Sequence, residues 1–347
     1  PPAVNAGSSH RRFAEGRKHR MKSFEYVAPD SIQEAVGFLT GGRGESEVLA
    51  GGMDLITCMK QGITQPKRLV SLKNIPSLKR IEVSQKEVTI GAMVSLKDLA
   101  AHPAVQRQFP SLVTAVKGIG SAQMRALGTV GGDLCQRPRC WFFRNGMGLF
   151  PTKDGVSLIE EGDNRYHAIF GNDGPALFVS PSSLGPALAA LGAHVNIAMG
   201  TGRGVIRTVG AAEFFKTPSS EMERETILGA NDLVESVSIP ASGLKNATYE
   251  VRHRSGLDWP YVTASVAFQA KDGRADGGSI VLGHVAPRPW PAIHASNLLN
   301  GSVIDDELAE KCAEAAVRGA RPLSRNGYKM HMVKAAVKRA VMAAAQS

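Results

Sequence analysis

A chain of 347 residues is long enough for two or three domains, each with its own core. Its 43% apolar and 21% charged residues are those of an ordinary globular protein, and no apolar run approaches the roughly 20 residues that span a bilayer. The net charge of +10 is concentrated near the N-terminus, where Arg11, Arg12, Arg17, Lys18, Arg20 and Lys22 face only Glu15. Residues 1–20 therefore read as a basic, flexible arm. No basic patch interleaved with aromatics follows, so nucleic acid is not an expected partner. Arg11-Arg12 leads into Phe13-Ala14-Glu15-Gly16-Arg17-Lys18 and not into an apolar stretch, which is the wrong context for a twin-arginine export signal. The expected location is the cytoplasm, or the periplasm if a signal-bearing partner carries the chain. Cys58, Cys135, Cys140 and Cys312 are too few and scattered for a disulfide framework.

From Met21 onward strand and helix patterns alternate. Ser31-Ile32-Gln33-Glu34 has the form of a capping box and predicts a helix through Leu39. Residues 47–50 predict a strand ending at Gly51-Gly52. Leu55, Ile56 and Met59 then follow at helical spacing, and 68–72 predict another strand, so 21–80 form a small α/β unit. From 81 to 220 strands dominate, with a strand over 88–91 and helices over 96–101 and 111–117. The stretch 118–181 is rich in glycine and proline with little periodicity and is expected to be loops. A helix over 184–191 precedes a hairpin over 194–209. A third unit, 225–347, combines strands over 249–251, 262–269 and 279–285 with helices over 305–319 and 329–345. The last helix is expected to bury Met332, Val333, Ala336, Val337 and Ala340.

Two glycine pairs stand out. In Leu49-Ala50-Gly51-Gly52-Met53-Asp54-Leu55 an apolar strand meets a Gly-Gly turn and then a helix. Such a turn is either an ordinary tight turn or a cradle where free N–H groups meet a pyrophosphate, because no Cβ blocks the approach. Gly128-Thr129-Val130-Gly131-Gly132-Asp133-Leu134 repeats the theme. It is either a hairpin turn or a second cofactor loop, whose Thr129 and Asp133 side chains would reach a ribityl or ribose hydroxyl. Gly200-Thr201-Gly202-Arg203-Gly204 has strands on both sides and no helix after it, so it reads as a turn and not as a Rossmann fingerprint. The histidines are dispersed without metal-ligand spacing, and no hydrolytic or Walker motif occurs.

Further segments complete an ordered set with these loops: Ile90-Gly91-Ala92, Arg165 to Ile169, Arg252-His253-Arg254, Leu282 to Trp290 and Arg321 to Lys329. In that order they resemble the FAD-binding medium subunit of the molybdenum hydroxylases, the family of xanthine dehydrogenase, carbon monoxide dehydrogenase and bacterial aldehyde oxidoreductases. The run from Leu134 to Phe143 points to the aldehyde oxidoreductase branch. The fold class this implies is α+β. A two-subdomain FAD-binding domain of the PCMH/vanillyl-alcohol-oxidase type (21–80 and 81–220) precedes an α/β C-terminal domain (225–347), an antiparallel sheet packed by helices, of carbon monoxide dehydrogenase flavoprotein type.

The resemblance implies that Leu49, Ala50, Gly51, Gly52, Met53, Asp54 and Leu55 hold the FAD diphosphate, mainly through main-chain amides. Gly120, Ser121, Thr129, Gly131, Gly132 and Asp133 would line the flavin and its ribityl chain, with the ring near Leu233 and Arg252. No catalytic side chain is implied, since the cofactor carries the redox chemistry. The implied partners are a large molybdenum–pterin subunit, a small [2Fe–2S] subunit and an external electron acceptor. The alternatives are a stand-alone FAD-dependent oxidase and a flavin-free scaffold. The aldehyde oxidoreductase branch often carries a [4Fe–4S] cluster after the second glycine motif. Cys140 matches its first ligand, but 141–180 contain no cysteine, and such a cluster needs about four thiolates. No [4Fe–4S] cluster is therefore expected in this chain.

Overall fold

The computed structural model describes residues 21–39, 41–42, 44–200, 204–254 and 257–347. The basic arm over 1–20 and the centre of the Gly200–Gly204 turn lie outside the described residues.

The first unit is a three-stranded parallel sheet. Arg68–Ser71 lies between Glu25–Val27 and Ser46–Leu49 and pairs in parallel with both. The helix Ile32–Phe38 starts where the sequence predicts, because Ser31 accepts from the Glu34 amide and Glu34 reaches back to the Asp30 amide at 3.1 Å. The helix Leu55–Lys60 makes the second crossover.

The second unit is a five-stranded sheet in the order Ile81–Val83, Glu87–Gly91, Leu233–Pro240, His194–Ala198, Ile206–Gly210. Leu233–Pro240 pairs antiparallel on both edges and supplies the strand between two hairpins, so the expected start of the third unit at 225 is corrected to a point after Pro240. A register shift between Val234 and Ser236 bulges this central strand, a device common beside binding sites.

The stretch 118–181, expected to be loops, contains short helices at Ala122–Leu127, Val130–Cys135, Trp141–Arg144 and Leu158–Glu161. Ser121, Thr129 and Ser157 each cap one of them by accepting an amide three residues on. Helices of four to six residues are too short to show a 3.6-residue repeat.

The third unit is an antiparallel sheet of Lys245–Val251, Val262–Lys271, Arg274–Gly283 and Trp290–Pro291. The helices Ile293–Leu299, Asp306–Ala316 and Lys329–Gln346 cover it. Val333, Ala336, Val337, Ala340 and Val341 are fully buried on the last helix, while Met332 packs only at the edge. On its outer face Lys334 bridges Glu314 and Lys338 bridges Asp306 and Glu310.

Candidate functional site

A cavity of about 300 Å³ opens where the three units meet. Its wall includes Ala50, Gly51, Gly52, Met53, Asp54 and Leu55 from the first unit. Gly120, Thr129, Gly131, Gly132, Asp133 and Leu233 come from the second, and Arg252 from the third. Every residue expected at the cofactor lies on this wall except Leu49 and Ser121. Leu49 ends the strand and turns inward, with its Cδ1 beneath Gly52. The Ser121 hydroxyl is used as a helix cap, accepting from the Met124 amide at 3.2 Å.

The first glycine pair leaves its backbone free. Among the described residues, none of the N–H groups of Gly51, Gly52, Met53, Asp54 and Leu55 donates a hydrogen bond within the chain. Unpaired backbone donors in a folded chain call for a partner, and five in succession on a cavity wall form an anion-binding row. Gly52 permits the turn, with φ of +72°, where other residues are strained. Gly51 permits a crossing, since a Cβ there would lie 1.9 Å from the Leu127 carbonyl oxygen.

The Asp54 side chain has a different task from the amides. Its carboxylate accepts from the Arg137 amide at 2.7 Å and pairs with Arg139 at 3.0 Å and Arg144 at 2.8 Å. It ties the segment 137–144 to the first glycine turn. The other cations on the wall are likewise paired: Arg137 with Glu225 at 3.1 Å, Arg224 with Glu47, and Arg252 with Glu250 at 2.6 Å. Burial raises the Glu250 carboxyl, against the pull of Arg252.

The second glycine pair is not a loop. Gly131 and Gly132 fall in the first turn of the helix Val130–Cys135, capped by Thr129. Its amides are all used within the chain: Gly131 donates to the Ala92 carbonyl at 2.9 Å and Gly132 to the Thr129 hydroxyl at 3.1 Å. The Asp133 carboxylate accepts from the Ser182 hydroxyl at 2.6 Å, the Leu184 amide at 3.0 Å and Gln136 at 3.0 Å. Burial raises its carboxyl, opposed by the bonds from Ser182, Leu184 and Ser183. The Asp133 carboxylate thus fastens this helix to the start of the helix Leu184–Ala190.

Sequence reasoning missed the segment 224–232, which brings Arg224, Glu225 and Asp232 to the wall, and the segment 257–260 with Trp259. Neither carries a motif. The thiols stand apart: Cys58 beside Arg144, Cys135 on the cavity, Cys140 beside His167 and Cys312 in the C-terminal core. Among the described residues no group of three or more His, Cys, Asp or Glu side chains is arranged to hold a metal ion, and no helix is long and apolar enough to cross a membrane.

Two α+β subdomains close a cavity against an antiparallel third unit, with a row of free amides on its wall, an arrangement suited to a protein that binds a dinucleotide cofactor. The chain belongs to the family described as FAD binding domain in molybdopterin dehydrogenase, whose model matches residues 22–242. The CO dehydrogenase flavoprotein C-terminal domain matches 247–344. It is 29% identical to the aldehyde oxidoreductase FAD-binding subunit PaoB of Escherichia coli, over 90% of this chain and 96% of that protein. It is also 29% identical to the carbon monoxide dehydrogenase medium chain of Hydrogenophaga pseudoflava, over 92% and 96% respectively. Among solved structures, quinoline 2-oxidoreductase from Pseudomonas putida 86 superposes with a TM-score of 0.73 at 26% identity, covering 94% of this chain and 98% of the other.

Proposed function

We propose that this chain carries FAD as the electron-transfer subunit of a heteromeric molybdenum-dependent hydroxylase of the aldehyde oxidoreductase kind. The observation that carries the reading is the row of free amides from Gly51 to Leu55, on a wall whose arginines already have carboxylate partners. A diphosphate fits there because five successive backbone donors remain to meet it. Thr129, Gly132, Gly120, Leu233 and Arg252, on the same wall, would line the flavin and its ribityl chain. FAD, when bound, supplies the reversible electron chemistry that no side chain here can supply. The chain's own part is to hold the diphosphate, to set the charge around the ring through the Glu250–Arg252 pair, and to shield the cavity beneath Trp259. Electrons arrive from a small [2Fe–2S] subunit fed by a large molybdenum–pterin subunit, and leave to an external acceptor. The complex works in the cytoplasm, or in the periplasm if a partner carries the export signal.

The isolated chain is expected to be yellow, with FAD released on denaturation at one per chain. A colourless chain would point to a scaffold instead. Bleaching by a substrate in the absence of partner subunits would point to a stand-alone oxidase. Gly52→Val is expected to lose the flavin while keeping most of the fold, because the strain falls on one turn at the surface of the cavity, about 1–2 kcal/mol. Full flavin content in that variant would displace the diphosphate from this turn.

A further inference from the structure

The helix Pro110–Gly118 of the second unit packs along the strand Lys245–Val251 of the third. Asn246 ties the two together near one end, accepting from the Ser111 amide at 3.0 Å and donating to the Gln108 carbonyl at 2.9 Å. At the other end of the same contact lie Gly118, Glu250 and Arg252. Gly118 and Arg252 are on the wall of the cofactor cavity, and Glu250 stands behind the guanidinium. Nε and Nη2 of Arg252 both donate to Glu250 Oε2, at 3.1 and 2.6 Å, and Nη1 donates to the Asp258 carbonyl at 2.8 Å. One N–H on each Nη is left over, since a guanidinium has five.

This pair is a poor device for stability. The Glu250 and Arg252 side chains are only 8% and 14% exposed, and the attraction of two charges held out of water rarely exceeds the cost of desolvating them. Glu250 Oε1 is buried and has no hydrogen-bond partner among the described residues. The Asp133 carboxylate, on the same cavity, lies close enough to repel it. Gly118 gives way to the pair as well. Its φ is not one that calls for glycine, yet a Cβ there would lie 2.1 Å from Glu250 Oε2 and 2.5 Å from Arg252 Nη2. A glycine in a helix gives up stability relative to alanine. Features that weaken the fold and converge on a cavity point to function.

What the arrangement controls is charge. Arg137, Arg139 and Arg224 are matched by Glu225, Asp54 and Glu47, so the balance at Arg252 falls to Glu250. Two-electron reduction of a flavin with uptake of one proton leaves it one negative charge richer. A bare cation beside the ring favours that state, and a cation cancelled by a carboxylate does not. We propose that Glu250 is a positioning residue: it holds Arg252 in place and cancels its charge, so that FAD is kept at a lower reduction potential than the bare guanidinium would set. The proposal rests on the flavin reading above, with Arg252 at the ring.

The test is the reduction potential of FAD bound to the full chain, measured by dithionite titration against a reference dye. Glu250→Gln keeps the shape and an acceptor oxygen but removes the charge. It is expected to favour the reduced flavin tenfold or more over wild type, a rise of about 30 mV for a two-electron couple. The double variant Glu250→Gln/Arg252→Gln has neither charge and is expected to return to near the wild-type potential. Should Glu250→Gln not fold, Gly118→Ala drives the carboxylate off the guanidinium without changing any charge, and a smaller rise is expected. A yellow, folded Glu250→Gln with an unchanged or lower potential overturns the proposal. So does a rise that persists in the double variant, which would make it an effect of packing. A colourless wild-type chain refutes the flavin reading and this proposal with it, whereas a yellow chain without the shift refutes this proposal alone.

Discussion

The two glycine pairs look alike as strings of residues and behave in opposite ways in the fold. Around Gly51-Gly52 the chain turns with its amides unpaired and facing a cavity; around Gly131-Gly132 every amide is consumed by the chain itself. Their aspartates divide in the same way. Asp54 collects two arginines and a backbone amide and so ties down a neighbouring segment. Asp133 has no cation in contact among the described residues and is held by a hydroxyl and neutral amide donors. The first pair therefore offers a binding surface, and the second builds the wall that keeps that surface in place. In the first pair Gly52 makes the turn that exposes the amides while Gly51 admits the Leu127 backbone, and in the second Gly131 admits the strand end at Ala92.

The sharpest way to break this contrast is Gly51→Val. A Cβ at this position would overlap the Leu127 carbonyl oxygen at 1.9 Å, and backbone cannot yield as a side chain would. Gly51 joins the two glycine segments, so the change is expected to cost about 3 kcal/mol and to abolish flavin binding together. Denaturant melting and flavin absorbance on the same samples would check it. A stable variant that keeps its flavin would mean the two segments do not need to touch.

Asp133→Asn comes next and should separate stability from binding. The carboxylate accepts from several donors at once, and an amide nitrogen in its place would face one of them, leaving buried donors opposed. The expected loss is about 2 kcal/mol of stability, with flavin stoichiometry near one in the folded protein. Asp54→Asn is expected to do the reverse, lowering flavin affinity by loosening the segment 137–144 at a smaller cost in melting temperature. If both variants lost flavin equally, the division of labour between the two aspartates would fail.

Much of the fold was legible because it rests on local rules. The Ser31 cap, the apolar stripe of the last helix and the strand before Gly51 each follow from a few neighbouring residues. Leu233–Pro240 was assigned to the wrong unit because its partners, Glu87–Gly91 and His194–Ala198, lie far away in the chain. The site was legible as positions and less so as roles. Both glycine motifs could be located, but whether an amide is free depends on what packs above it, such as Ala92 over Gly131. Nothing in the residues 224–232 announces that Arg224 will meet Glu47, since that pairing exists only once two distant segments are brought together. Likewise, neither the left-handed backbone of His284 nor the burial of the Lys329 side chain is written in the residues beside them.

The smallest effect is the most discriminating, because its sign is decided by two opposing quantities. Gly131→Ala replaces a glycine in a helix, a change worth up to about 1 kcal/mol in favour of the alanine. The new methyl would sit 2.9 Å from the Ala92 Cβ and 3.2 Å from the Ala92 carbonyl oxygen, closer than such contacts normally run. Overpacking of that kind costs roughly 1–3 kcal/mol, so the net expectation is a destabilisation near 1 kcal/mol with flavin content unchanged. Thermal melting would show a drop of a few degrees in an otherwise yellow protein. Were the alanine variant more stable than the parent, close helix–strand packing would not explain this glycine. Were it folded but colourless, the second pair would be a binding surface after all, and the two glycine pairs would be alike in role as well as in sequence.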